Sequence, residues 1–213
     1  MDEAPARTRN PRGQGARLRA ELIEAASGLL ADLGSADRLS IRAVAAATGV
    51  AAPSVYRHFP DLSSLLTAVV VERSRELART LDAAGSNGTD PFDALRRRCR
   101  AYLGFAETHP AHYRVLFNAT GLGPLNVGTE GRFEHPCAGS FAGLVEAVQR
   151  CLDTQAHTAA EPNSRFRTFQ LWAWLHGLVD LRIGKSGMPW PPTDALLAAT
   201  LSGLGLSEPP PQD

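Results

Sequence analysis

Leu39 to Leu66, LSIRAVAAATGVAAPSVYRHFPDLSSLL, reads as two short helices joined by a tight turn and followed at once by a third. Ser40 is placed to cap the first, because its side-chain oxygen accepts an amide proton that the helix leaves unpaired. Ile41, Val44 and Ala45 then recur at helical spacing. Gly49 breaks the pattern and takes a positive φ at little cost. Pro53 suits the first turn of the next helix, where its missing N–H is not needed. That helix is very short and carries Ser54, Tyr56, Arg57 and His58 before Phe59-Pro60 stops it. A helix–turn–helix of this size presents its second helix to a DNA major groove.

The rest of the chain is long enough to enclose a substantial core: 213 residues, 44% hydrophobic and 21% charged. Lys+Arg and Asp+Glu both total 22, so net charge excludes no partner. The distribution is more telling. Residues 7 to 19 hold Arg7, Arg9, Arg12, Arg17 and Arg19 and no acid. Such a run is a solvated tail in most settings; directly before a helix–turn–helix it is also placed to lie along phosphates. No segment approaches the roughly 20 apolar residues that cross a bilayer, and the start does not resemble a signal peptide. Cys99, Cys137 and Cys151 are odd in number and widely spaced, which does not suggest a disulfide framework. These features predict a cytoplasmic protein with no membrane partner.

Residues 1–15, rich in Pro, Gly and Arg, are expected to be a disordered arm. A helix is predicted over 16–33, with Leu18, Leu22, Ala26, Leu29, Leu30 and Leu33 on one face and Gly34 ending it. After the motif, Asp61 opens a long helix to about Ala83. Gly85-Ser86-Asn87-Gly88 breaks it, and Asp90-Pro91 starts another. Further helices are predicted over 91–108, 110–117, 136–153, 163–183 and 193–204. Residues 118–134, with four glycines and one proline, read as a loop, and the tail SEPPPQD frays. No alternating strand and no internal repeat is visible. The expected fold is all-α with about nine helices: a helix–turn–helix domain over 16–60 and a larger helical domain over 61–205.

In the motif, Val50, Val55 and Phe59 are expected to face inward and the polar residues outward. Candidate DNA contacts are Ser40, Arg42, Ala51, Ala52, Ser54, Tyr56, Arg57 and His58: small side chains against thymine methyls or backbone, the others as donors to phosphates or guanine. The segment TGVAAPSVYRHFPDLSSLL resembles the DNA-binding signature of the TetR family of transcriptional regulators. Thr48, Gly49, Val50, Tyr56, Phe59 and Leu65 sit at its signature positions, and the likeness runs over residues 16 to 66. Leu62 departs from it. The family commonly has Lys there, and a phosphate contact goes with it. Farther on, Leu171-Trp172-Ala173-Trp174-Leu175-His176-Gly177-Leu178 and His109 to Phe117 look like elements of a TetR C-terminal subgroup. The resemblance implies a C-terminal domain that binds a small molecule and forms a homodimer through the last two helices. It also implies an operator with inverted-repeat symmetry, read as two half-sites.

Aromatic and histidine residues of the second half, Tyr102, Phe105, His109, Tyr113, Phe117, Phe169, Trp172 and His176, are the candidate ligand contacts, since pockets between helices are lined mainly by such side chains. Each also has a plainer reading. Most of the aromatic rings would be core. His176 would be a buried histidine bonded to backbone, and Gly177 would mark a close helix–helix approach. His109, His112 and Cys99 lack the companion ligands of a metal site, so no metal is expected. Cys99 has little beside it to lower its pKa. The run Arg96-Arg97-Arg98-Cys99-Arg100 reads as a solvated helix face. No nucleophile–base pair, paired carboxylate or glycine-rich phosphate loop appears, so neither a cofactor nor enzymatic activity is expected. The predicted function is a DNA-binding regulator, a repressor released by a small apolar effector. The competing reading is an α-helical binding protein or enzyme whose motif no longer reads DNA.

Overall fold

The computed structural model describes residues 14–86, 90–118, 136–154 and 163–208. Among them are nine α-helices, a 3-10 turn at Ala36–Arg38 and a π-helical turn at Arg114–Asn118, with no strand. The predicted arm before residue 14, most of the 118–134 loop, residues 87–89, and the end of the tail lie outside the described residues. The α-helices are α1 (Gln14–Leu33), α2 (Ile41–Ala47), α3 (Ala52–Tyr56), α4 (Leu62–Gly85), α5 (Pro91–Thr108), α6 (Pro110–Tyr113), α7 (Ala138–Asp153), α8 (Ser164–Gly184) and α9 (Thr193–Gly203).

Local chemistry sets these boundaries. Ser40 Oγ accepts from Ala43 N at 3.2 Å and starts α2. Gly49, at φ 67°, ends it. Val50 N donates to Ala45 O and Gly49 N to Ala46 O, the paired bonds of a Schellman cap. Asp61 accepts from Ser64 N at 2.7 Å, while Ser64 Oγ accepts from Asp61 N, a reciprocal cap that opens α4. Asp90 accepts from Phe92 N and Asp93 N ahead of Pro91. Asn163 accepts from Phe166 N and opens α8.

The chain forms two compact units, Met1–Val71 with Arg114–Pro124, and Glu72–Tyr113 with Leu125–Asp213. This differs from a division at residue 60. The first part of α4 belongs with the helix–turn–helix because Leu65, Val69 and Val70 are fully buried. The return of Arg114–Pro124 to the N-terminal unit carries no local sequence signal. Its π-helical turn packs on α1, where Arg114 Nη1 donates to Ala31 O at 3.0 Å. Within the N-terminal unit Leu22, Leu30, Val44, Val55 and Phe59 are buried, each such side chain contributing about 1.5–3 kcal/mol. In the C-terminal unit α7 packs on α5 and α8, and α9 packs on α5.

Two expectations for the C-terminal unit are corrected. Arg98 is not on a solvated face. It is buried, donating from Nη1 to Asp82 Oδ1 at 2.9 Å and from Nη2 to Ser140 O at 3.5 Å. It lies where Gly143 of α7 leaves room, since a Cβ there would sit 2.5 Å from Arg98 Nη2. Gly177, by contrast, has nothing within 4 Å of the position a Cβ would take, so no close helix approach occurs there. The tight glycine besides Gly143 is Gly205, at φ 65°, against the Arg167 guanidinium that caps Leu204 O at 2.7 Å.

Candidate functional site

The helix–turn–helix sorts its residues by burial. Val55 is fully buried and Phe59 nearly so, while Val50, also expected inside, is only half-buried. The reason is its place in the Schellman turn, just beyond the end of α2. Tyr56 is 54% exposed, a large ring held out of the core by two buried neighbours in a five-residue helix. Arg57 is exposed beside it and donates from Nη2 to Ser54 Oγ at 3.2 Å. His58 and Ala52 are half-buried, and Ala51 and Arg42 are exposed. Ser40 is exposed, but its oxygen is committed to the α2 cap. Leu62 opens α4 half-buried. Two contacts missed by the sequence reading brace this surface. Arg19 of α1 lies over the Phe59 ring at 5.0 Å, and Gly15 approaches His58.

In the C-terminal unit the aromatic candidates divide. Tyr102, Tyr113 and His176 converge: Tyr102 Oη lies 3.1 Å from His176 Nε2, and Tyr113 Oη lies 3.2 Å from His176 Nδ1. Tyr113 Oη also donates to Asp180 Oδ1 at 3.4 Å. His176 is therefore bonded to side chains, not to backbone as expected. Trp172 meets His176 edge-on at 4.7 Å, and Phe169 and Phe141 continue the row of rings. Phe141 and Asp180 were missed; only the packing of α7 beside α8 and of Tyr113 beside α8 reveals them. Phe105 and His109 form a separate stack with His112, which lies 3.0 Å from Glu76 and 2.7 Å from Arg73 Nη1. Phe117 belongs to the N-terminal unit.

Burial sets the electrostatics of the row. It raises both tyrosine pKa values, so each hydroxyl keeps its proton. It lowers that of His176, with Asp180 opposing, so the imidazole stays neutral near neutral pH. Burial also pushes the thiols of Cys99, Cys137 and Cys151 up to about 12, which leaves them protonated and weakly reactive. Among the described residues no group of three or more His, Cys, Asp or Glu is placed to hold a metal ion, and no helix is long and apolar enough to cross a membrane. A cavity of about 40 Å³ lies between α5 and α8, lined by Leu103, Ala106, Leu178 and Val179; none of the aromatic candidates lines it.

An all-helical chain with an exposed recognition surface on a capped helix–turn–helix, joined to a larger helical unit, defines a class of bacterial regulators. Residues 22–69 match the model for bacterial regulatory proteins of the tetR family, and residues 95–204 match that for the tetracyclin repressor-like C-terminal domain. The chain belongs to the TetR family. An HTH-type transcriptional regulator of Mycobacterium tuberculosis is 32% identical over 108 residues, 48% of this chain and 44% of that one. The chain thus matches less than half the length of that relative. A TetR-like transcriptional regulator from Rhodococcus sp. RHA1 shares the fold at TM-score 0.65 and 20% identity, covering 92% of this chain and 96% of that one. The regulator FadR from Bacillus subtilis, solved with stearoyl-CoA, does so at TM-score 0.69 and 13% identity, covering 87% and 96%.

Proposed function

We propose that the protein is a homodimeric transcriptional repressor that binds an inverted-repeat operator and is released by a small effector. The observation that carries this reading is the exposed Tyr56-Arg57-His58 surface held by buried Val55 and Phe59. Such an arrangement positions phosphate donors and a short helix for a major groove. Two copies reading half-sites one turn apart require a two-fold dimer. The apolar face of α8 and α9 is its interface.

The effector is largely apolar with one polar end. It lies along the rings of Phe141, Phe169 and Trp172 and reaches Tyr102, Tyr113, His176 and Asp180. Phe105 and His109 flank this site. Release requires that the effector favour the non-DNA conformation. Helix α4 runs unbroken from Leu62 to Gly85 through the boundary at Val71, so a tilt of α4 reorients the recognition helix. A gel-shift with the DNA upstream of its own gene, at low salt where phosphate contacts are strongest, tests the reading. A shifted complex that an apolar compound dissolves is expected. No complex, with Tyr56→Ala indistinguishable from the parent chain, refutes it.

A further inference from the structure

We infer that the arginine segment before α1 is a second DNA-binding element, lying in the minor groove that flanks each half-site. This rests on the DNA-binding reading above and extends the contact surface beyond the helix–turn–helix. Two contacts one helical turn apart fix where the segment is rooted. Gly15 approaches the His58 ring, with 3.9 Å between a Cβ there and His58 Cε1, and Arg19 lies 5.0 Å over the Phe59 ring. The first turns of α1 thus run along the end of the recognition segment. Whatever precedes Gln14 leaves the unit beside the residues that face DNA.

The chemistry of that segment fits one partner. Residues 7–13 read TRNPRG after Arg7 is counted with them as RTRNPRG: three arginines, no acid and no apolar side chain that a core would bury. The first turn of α1 also lacks an acidic residue. Arg17, which follows, is already paired with Glu21 at 2.8 Å, so the positive charge next to the root belongs to Arg7, Arg9 and Arg12. Seven residues reach at most about 23–25 Å when extended, enough to pass from the edge of one groove into a minor groove about 6 Å wide. Arginine is favoured there because a narrow minor groove concentrates negative potential. Proline and asparagine between the arginines disfavour a continuation of α1 through the segment.

The test uses the full chain and an Arg7→Ala/Arg9→Ala/Arg12→Ala variant of it. The probe is a duplex selected by the parent chain from a random-sequence pool, prepared with its flanks and trimmed to the two half-sites. Three lost contacts per protomer predict a salt dependence of log K shallower by about 3 per protomer, and binding weaker by roughly 10- to 100-fold on the flanked duplex. On the trimmed duplex the two chains are expected to bind alike. Equal affinity and slope on the flanked duplex overturn the inference while leaving the DNA-binding reading intact. So does an equal loss on both duplexes, which would place the arginines inside the half-site. If the parent chain selects no duplex, the DNA-binding reading itself fails and the inference with it. Circular dichroism of the variant confirms that the helical fold is unchanged.

Discussion

Leu62 is the first residue of α4 and half-buried, at a position where the family commonly places Lys. A leucine there contributes packing and no charge. Leu62→Lys is expected to tighten operator binding and steepen its salt dependence by about 1 per protomer, since one more phosphate is neutralised. An unchanged slope in a salt titration would show that DNA does not pass this position. His176 makes the second residue-scale prediction. Burial holds its pKa below 6.5, so the folded chain binds the proton less well than the unfolded chain does. Stability is then full above about 6.5 and declines as pH falls below it, because the unfolded state takes up more protons. Thermal unfolding from neutral to mildly acidic pH should show that decline, and His176→Asn should lose the part of it that belongs to this ring. An identical pH dependence in the variant would reject a neutral His176.

The helices themselves were legible because their ends are local. Ser40, Gly49, Asp61, Asp90 and Asn163 act within four residues of where they stand, and each caps where its chemistry predicts. What one helix does to another was not legible. The run from Arg96 to Arg100 looks uniformly solvated, yet Arg98 is buried because α7 brings a glycine against it. Nothing in the spacing of α5 announces Gly143. The contrast between two helical glycines follows from this. Gly143→Ala is expected to destabilise the chain by about 1–3 kcal/mol, the cost of overpacking against a guanidinium pinned at both ends. Gly177→Ala is expected to stabilise it by about 0.5–1 kcal/mol through helix propensity alone. Denaturant midpoints measure both; a destabilised Gly177→Ala would reveal a surface packed on that face in the assembled protein.

For the molecule as a whole, the unpartnered surface of α8 is the feature to explain. Phe166, Phe169 and Trp172 are 54%, 45% and 37% exposed, and Leu181 and Ile183 lie uncovered farther along. Exposed apolar area of this kind marks an interaction site. Sedimentation is expected to give two chains per particle, and Trp172→Glu to shift it toward one while weakening binding to a two-half-site duplex more than to a single half-site. A variant that stays dimeric would move the interface elsewhere. The candidate ligand site was legible only as a set of residue types. The sequence could not separate Phe117, which goes with the N-terminal unit, from Tyr113 four positions earlier, which bonds to α8.

That parting of neighbours carries a consequence for how such proteins diversify. Val115 and Leu116 are buried in a turn that packs on α1, although more than forty residues of chain separate them from the rest of the N-terminal unit. A single genetic crossover near Val71 would transplant the helix–turn–helix without these two side chains and leave a gap on α1. New pairings of reader and sensor would therefore arise more readily by drift of surface residues, or by a double exchange that carries the Arg114–Asn118 turn along. Chimeras joined at Val71 should be rescued by grafting those five residues with the helices they cover.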